Sequence, residues 1–414
     1  MPPQTKEETV CQREVKIPDW VTPEVFEDLL RRKVKDYKET KSLRAEAGVA
    51  PGENYATIML RVELDVETKD QSLVTKAFML KTPHQSETYR KIIEETDIFD
   101  VERGMYQEVV PEMEQLYRDA GLDVKFGAES YEISASDHYV LLEDLRPRGF
   151  RNVNRLEGLD QVHTENVLRK LAQWHAASAV RVELKGPYEE KYTKGFFKSE
   201  KIIDAFCNGS VKNLLKHIEQ YEGHEAYLKD LHSVSEKLLD VVNDLNVPKA
   251  DEFNALNHGD SWSNNIMFQY NDKNEILNTY FVDLQIPKYG TVAQDLYYFL
   301  ISSTSLDIKI SKFDYLIWFY HSELVKHLKL LKYSKPLPTL RGIRDALNKY
   351  SGWGFVCAAC IMGFVLLDPR EDAHFDQIMS EEDSSFKNSI FTNPRYRRHI
   401  EALLPWLQQS GALE

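Results

Sequence analysis

One short stretch of the chain carries two acids and an amide at a spacing that suits phosphoryl transfer. Asp260 ends the run NHGD at 257–260, Asn265 follows five residues later, and Asp283 ends the next apolar strand. A hydroxyl that attacks a phosphoryl group needs a proton acceptor, and a carboxylate such as Asp260 can serve. The pattern predicts a catalytic base at Asp260 and is typical of kinases that act beside a nucleotide.

The other two side chains suit a hard cation. Mg2+ prefers oxygen ligands, which Asn265 supplies as an amide and Asp283 as a carboxylate. The apolar runs 266–268 and 276–282 flank a polar turn at 271–274 and predict a β-hairpin that brings the two ligands to one end. The alternative is an ordinary Asn- and Asp-rich turn that caps backbone groups, and the combined spacing disfavours it.

The length of the chain indicates how many lobes to expect, and its charge indicates which partners to exclude. The 414 residues exceed what one hydrophobic core usually organises, so we expect two lobes with a cleft between them. The 66 acidic and 52 basic residues give a formal charge of -14, which would repel nucleic acid and anionic membranes. The N-terminus lacks the apolar core of a signal peptide. We expect a cytoplasmic protein that binds neither nucleic acid nor membrane, and its oligomeric state stays open.

The four cysteines do not suggest a disulfide framework. Cys357 and Cys360 form a CxxC pair inside the apolar stretch 352–367, and no second Cys or His pair completes a zinc site. The stretch is slightly short for a membrane span. We therefore expect a buried core helix of the second lobe.

The first part of the chain predicts a helix followed by a sheet. Thr22 and Pro23 signal a helix start, and apolar residues recur with helical spacing to Tyr37. Strict alternation over 56–66 and a second run at 73–81 predict a strand pair. The loop 48–54 before it, with two glycines and Asn54, would lay backbone N–H groups over nucleotide phosphates, although a plain turn is an equal alternative.

Lys81 ends the second strand and is a candidate for binding the α- and β-phosphates of a nucleotide. A Lys in that role needs an acidic partner, which the predicted helix 97–110 offers in Glu102 and Glu108; we favour Glu102. We expect Pro111 to interrupt this helix. A solvent-facing Lys and an ordinary surface Glu are the alternatives.

The strand 138–142 runs into Glu143 and Leu145, whose backbone would meet an adenine edge at a hinge between lobes. We therefore expect an N-terminal lobe at 1–145 and a mainly helical C-terminal lobe at 146–414. In the second lobe, His175 is expected to be a buried, hydrogen-bonded histidine. Asp295 is expected to stabilise the catalytic loop by accepting backbone hydrogen bonds.

Aromatic residues are frequent in the second lobe and would wall a pocket or fill the core. None of these aromatic residues is assigned to a site. The aromatic positions considered are Tyr297, Tyr298, Trp318, Phe319, Tyr320, Trp353 and Phe355.

Taken together, the chain resembles the ecdysteroid-kinase-like family of insects, a branch of the choline-kinase and aminoglycoside-phosphotransferase superfamily. The resemblance covers nearly the whole chain and depends on motifs in a fixed order. These are PDW at 18–20, GENYA at 52–56, FMLK at 78–81, Glu102 with Tyr106 and Pro111, LLEDL at 141–145, LAQWHAAS at 171–178, HGDSWSNN at 258–265, VDLQ at 282–285 and QDL at 294–296.

The resemblance implies an α+β, bilobal, protein-kinase-like fold with a small antiparallel sheet. It also implies an ATP- and Mg2+-dependent kinase that phosphorylates a hydroxyl of a small molecule, such as an ecdysteroid or another steroid or xenobiotic alcohol. By this resemblance Asp260 looks like the base, Asn265 and Asp283 like magnesium ligands, and Lys81 and Glu102 like the phosphate-binding pair.

Two departures argue against choline as the substrate. Choline kinases have Asn where this chain has Gly259, and an acidic residue where it has Gln285. The metal site would then use fewer carboxylates. The alternatives are a non-catalytic small-molecule-binding protein with a kinase fold, and a kinase of the choline or aminoglycoside type.

Overall fold

A computed structural model of the protein describes residues 17–49, 57–83, 97–135, 138–370, 377 and 384–414. The strands in these ranges are β1 Tyr37–Ala47, β2 Thr57–Thr68, β3 Leu73–Pro83, β4 Ser130–Tyr131, β5 Val140–Glu143, β6 Phe150–Arg151, β7 Asn254–Asn257, β8 Ile266–Tyr270, β9 Ile276–Phe281 and β10 Lys288–Thr291. The helices are α1 Pro23–Lys33, α2 Ile98–Gly104, α3 Val110–Asp119, α4 Gln161–Lys185, α5 Glu200–Ile203, α6 Gly209–His217, α7 Leu228–Glu236, α8 Leu238–Leu245, α9 Ala293–Ser303, α10 Leu306–Lys309, α11 Phe313–Leu330, α12 Leu340–Lys349, α13 Ser351–Val356, α14 Met362–Leu366, α15 Ser385–Thr392 and α16 Pro394–Gln409.

The N-terminal part is built on a five-stranded antiparallel sheet with the order β1-β2-β3-β5-β4. Alternate residues of β2 are fully buried, and they pack with α1 into a hydrophobic cluster of their own. The rest of the chain is mainly helical. The expected α+β, kinase-like fold class is therefore confirmed.

The strands predicted at 56–66, 73–81 and 138–142 are present as β2, β3 and β5. The expectation that helical spacing continues to Tyr37 is wrong, because α1 ends at Lys33 and the left-handed Asp36 (φ 56°) turns the chain into β1. The sequence did not predict β1, an edge strand in which five of the eleven residues are charged and only Tyr37 is buried. Residues 50–54 of the predicted phosphate-binding loop lie outside the described residues.

The helix that carries Glu102 continues past Pro111, contrary to the expected interruption. A π-helical turn, Met105–Val109, joins α2 to α3, and Pro111 lies in the first turn of α3. The π-helical turn changes the local hydrogen-bond pattern before the proline: the backbone nitrogen of Val110 donates to the carbonyl of Met105, five residues back. This helical run packs with the C-terminal helices in the larger hydrophobic cluster, so it contacts both parts of the chain.

The C-terminal part contains a β-hairpin, β8–β9, and a separate two-stranded antiparallel sheet, β7 and β10. β8 and β9 pair antiparallel with Ile266 opposite Phe281, as the sequence predicted, and β7 pairs with β10. α4 is capped by Asp160, which accepts from the backbone of His163. The division into lobes at residue 145 stays a prediction.

The apolar stretch around the CxxC pair is a buried core helix, as expected. It is formed by α13, a π-helical turn at Cys357–Ile361, and α14. Cys207, Cys357 and Cys360 are free and buried. Within the ranges that the structure describes, no single helix has the length and apolarity of a membrane span, and one helix pair that passes together is bent by 65°.

Candidate active site

The loop after β7 is held in place by the first turn of α9. Asp295 is buried and accepts from the backbone nitrogens of His258 at 2.7 Å and Gly259 at 3.1 Å. It also contacts His175 Nε2 at 3.2 Å. Burial alone would raise the pKa of Asp295, but the hydrogen bond and charge of His175 outweigh it and lower the pKa below its ordinary value. The expected structural role of Asp295 is confirmed.

His175 has both ring nitrogens in hydrogen bonds, with Tyr320 and with Asp295, so the expectation of a buried, hydrogen-bonded histidine is also confirmed. His258 is buried as well. Its Nδ1 accepts from the backbone nitrogen of Asp260 at 3.2 Å, and its Nε2 donates to the carbonyl of Val282 at 3.1 Å. Burial lowers the pKa of His258, which suits a neutral ring that links the loop to the end of β9.

Gly259 occupies a position that a side chain cannot share. Its φ is +84°, and an added Cβ would stand 2.0 Å from the carbonyl oxygen of Ile286. The loop therefore passes against the segment beyond Asp283 with no space for Cβ. Choline kinases have Asn at the position of Gly259. In this chain, the close approach of the Ile286 carbonyl explains why the position is a glycine.

The carboxylate of Asp260 is held by two neutral donors. Asn265 Nδ2 donates to Oδ2 at 2.9 Å, and the hydroxyl of Tyr298 donates to Oδ1 at 2.5 Å. Burial, followed by the charge of Asp283, raises the pKa of Asp260 to about 7, against the effect of these two donors. A carboxyl group that titrates near neutrality suits general-base work.

Lys81 reaches the same region from β3. Its Nζ lies 2.6 Å from Glu102 Oε2, 2.7 Å from Asp283 Oδ1 and 3.3 Å from Gln285 Oε1. The alternative partner, Glu108, instead accepts from the hydroxyl of Tyr192. The structure thus brings together Lys81, Glu102 and Asp283, which lie up to 202 residues apart in sequence.

This cluster holds more negative than positive charge. Burial alone would lower the pKa of Lys81, but the charges of Asp283 and Glu102 raise it above its ordinary value, so Lys81 stays an ammonium. Burial raises the pKa of Glu102, and Lys81 acts in the opposite direction. One ammonium shared by two carboxylates leaves negative charge that a further cation, such as a metal ion, would neutralise.

The β8–β9 hairpin brings Asn265 and Asp283 to the same end, as its strand pairing requires. The backbone nitrogen of Val282 donates to the carbonyl of Asn265 at 3.0 Å. Asp283 has a left-handed backbone (φ 64°), a conformation that costs energy in a residue other than glycine and often marks a functional site.

These residues fit a magnesium ion that arrives with phosphate. The nitrogen of Asn265 is used by Asp260, so its oxygen is the atom that would meet the ion. Among the described residues, no group of three or more His, Cys, Asp or Glu side chains could hold a metal. An amide and a carboxylate alone are a set that needs phosphate oxygens to complete it.

One cavity of about 360 Å3, within the range of small-molecule sites, is lined by Lys81, Glu102, Asp260, Asn265 and Asp283. Lys81, Glu143, Asp144 and Leu145 line it on the side of the sheet. Glu143 and Leu145 therefore border the cavity, while a hinge at these residues and adenine binding by their backbone stay predictions. Asn54 lies outside the described residues.

The far wall of the cavity is aromatic and belongs to the C-terminal part. It is formed by Phe196, Phe197, Phe206, Tyr298, Ile361, Phe364 and Val365. The rings of Phe206 and Phe364 are stacked with centroids 5.9 Å apart. Of the aromatic residues considered from sequence, only Tyr298 lines this cavity. Nothing in the local sequence marks the four phenylalanines, because they come from segments that meet only in the folded chain.

A comparison with known protein families shows to which family the chain is related. The sequence profile of the Ecdysteroid kinase-like family matches residues 51–333, which is more than half of the 414 residues. The chain belongs to the ecdysteroid kinase-like family. The family suspected from the motifs is thus confirmed, and the protein is kinase-like. No curated protein sequence matches the chain.

Proposed function

We propose that this ecdysteroid kinase-like protein is an ATP- and Mg2+-dependent kinase that phosphorylates a hydroxyl of a neutral, largely apolar small molecule. An ecdysteroid or another steroid or xenobiotic alcohol has this chemistry. The observation that carries the proposal is the convergence of Asp260, Asp283, Asn265 and the Lys81–Glu102 pair on one cavity.

In this proposal Asp260 accepts the proton of the acceptor hydroxyl as the hydroxyl oxygen attacks the γ-phosphorus of ATP. The bond between that phosphorus and the β–γ bridging oxygen breaks, and ADP leaves. Lys81, oriented by Glu102, binds the phosphates of ATP, and the backbone of Glu143 and Leu145 receives the adenine. Asn265 and Asp283 would hold Mg2+, which supplies charge neutralisation for the phosphates when bound.

The acceptor is proposed to be neutral because the far wall of the cavity is aromatic, and because three of the acidic residues that line the cavity pair with cations. Arg61 Nε lies 2.7 Å from Asp144 Oδ2, and Arg148 Nη1 lies 3.1 Å from Glu143 Oε1. Asp283 pairs with Lys81. A choline or aminoglycoside cation would compete for carboxylates already engaged, whereas an apolar ring system would contact the aromatic wall.

Purified protein incubated with radiolabelled ATP, Mg2+ and a panel of steroid, plant-derived and amino alcohols tests this function. We expect labelled product from neutral apolar alcohols, and little from choline or aminoglycosides. Transfer confined to the cationic alcohols would contradict the proposed acceptor class.

The matched variant is Asp260→Asn, which keeps the shape of the side chain. It should bind Mg-ATP with unchanged affinity by calorimetry and lose roughly 10²-fold or more of the turnover. Unchanged turnover would contradict the role of Asp260. A wild-type protein that neither binds Mg-ATP nor yields product would be a non-catalytic binding protein. The cytoplasmic location and the absence of nucleic-acid and membrane partners stay predictions.

A further inference from the structure

Tyr298 is the donor to Asp260 that the assigned roles do not use. It lies in α9, where all residues are buried, and its hydroxyl borders the cavity. Its hydroxyl donates to Asp260 Oδ1 at 2.5 Å, while Asn265 donates to Oδ2 at 2.9 Å. Two donors on the two oxygens fix the plane of a carboxylate that rotates freely when it has none.

Two of the α9 residues that contact the catalytic loop lie one turn apart. Asp295 accepts from the backbone of His258 and Gly259, and Tyr298, three residues later on the same helix face, holds the side chain of Asp260. The same rigid helix therefore fixes both the backbone of the loop and the orientation of the carboxylate. Sites supported in this way keep catalytic geometry more accurately than sites on unsupported loops.

We propose that Tyr298 is a positioning residue, which orients the carboxylate of Asp260 for proton acceptance from the acceptor hydroxyl. This inference rests on the proposed function. Tyr298 acts through Asp260: its hydroxyl takes one lone pair of Oδ1 and leaves the other oxygen sites for the acceptor. Loss of the hydroxyl would release the carboxylate on that side and move the base away from its working geometry.

Tyr298→Phe removes this hydroxyl and keeps the ring in the cavity wall. We expect kcat to fall roughly 10- to 100-fold, the loss of one charge-assisted hydrogen bond, with the Kd of Mg-ATP unchanged. Tyr297→Phe is the matched control. It removes a hydroxyl from the neighbouring residue of the same helix, one that donates to the Leu347 carbonyl at 2.9 Å. Tyr297→Phe should keep its kcat even if its melting temperature falls.

A double-mutant cycle with Asp260→Asn separates positioning from a structural effect. If Tyr298 acts through the base, Tyr298→Phe should change the residual single-turnover rate of Asp260→Asn less than about 2-fold. An equal loss in both backgrounds, or a kcat of Tyr298→Phe equal to that of Tyr297→Phe, would overturn the proposal while the kinase function stands. Absence of turnover in the wild type would overturn both.

Discussion

Replacing Gly259 by alanine is the sharpest test of the site geometry. An added Cβ would stand 2.0 Å from the carbonyl oxygen and 3.0 Å from the carbonyl carbon of Ile286, and both are backbone atoms that no rotamer change can move. The loop or the segment 284–287 must therefore shift by about 1 Å, since ordinary van der Waals contacts begin above 3 Å.

The expected magnitude follows from two contributions. A left-handed backbone costs an alanine roughly 1–2 kcal/mol. A shift of the loop weakens the two bonds from the backbone of His258 and Gly259 to Asp295, and each hydrogen bond to a charged group contributes about 1.5–3 kcal/mol. Gly259→Ala should thus be destabilised by about 3 kcal/mol or more. A displacement of Asp260 on this scale should cost about 10²-fold in turnover.

Gly223→Ala is the matched control, because Gly223 has a similar φ of +72° with no heavy atom within 4 Å of an added Cβ. It should lose only the backbone contribution of about 1–2 kcal/mol and keep its turnover. Gly259→Asn adds a second control, since asparagine tolerates the left-handed region but carries the same Cβ. The assay is urea and thermal unfolding with and without Mg-ATP. The reasoning would be refuted if Gly259→Ala unfolded at the same midpoint as Gly223→Ala.

Three further predictions follow from the charges of the buried residues. Lys81→Met should weaken Mg-ATP binding at least about 10-fold by calorimetry, and Glu102→Gln should weaken it less, because it leaves the ammonium in place. Asp283→Asn should remove most of the difference in ATP-induced thermal stabilisation between Mg2+ and EDTA buffers; a Mg2+ effect of wild-type size would count against Asp283 as a ligand. Burial lowers the pKa of His327 from 6.5 to about 4, so its contribution to stability is present above pH 6.5 and is lost as the pH falls towards 4. His327→Phe should therefore reduce the loss of unfolding free energy between pH 8 and pH 5 by about 1–2 kcal/mol, and an unchanged loss would contradict the cause.

The sequence alone predicted those features of the site that depend on local spacing. Asp260, Asn265 and Asp283 belong to one loop and the hairpin that follows it, and strand pairing fixes which ends meet. The alternation in β2 predicted a strand because each inward residue is buried in the sheet core. Asp295 was expected to accept backbone hydrogen bonds from the loop, and it accepts them from His258 and Gly259.

Other features were invisible because they depend on packing between distant segments. β1 is an exposed edge strand, so its sequence carries no apolar alternation. The π-helical turn before Pro111 lets the helix continue where local rules predicted a break, because packing of Met105 and Val109 in the core compensates.

The division is clearest at Asp260. Its identity as a candidate base follows from residue types and intervals along the chain, since an attacking hydroxyl needs a proton acceptor and Mg2+ needs the oxygen ligands that a nearby amide and a second acid supply. Which side chains surround Asp260 became known only from the tertiary structure. Tyr298, Lys81 and Phe206 reach the cavity from three remote segments, and which side chains meet across it depends on how helices and sheet pack, a property that no local interval encodes.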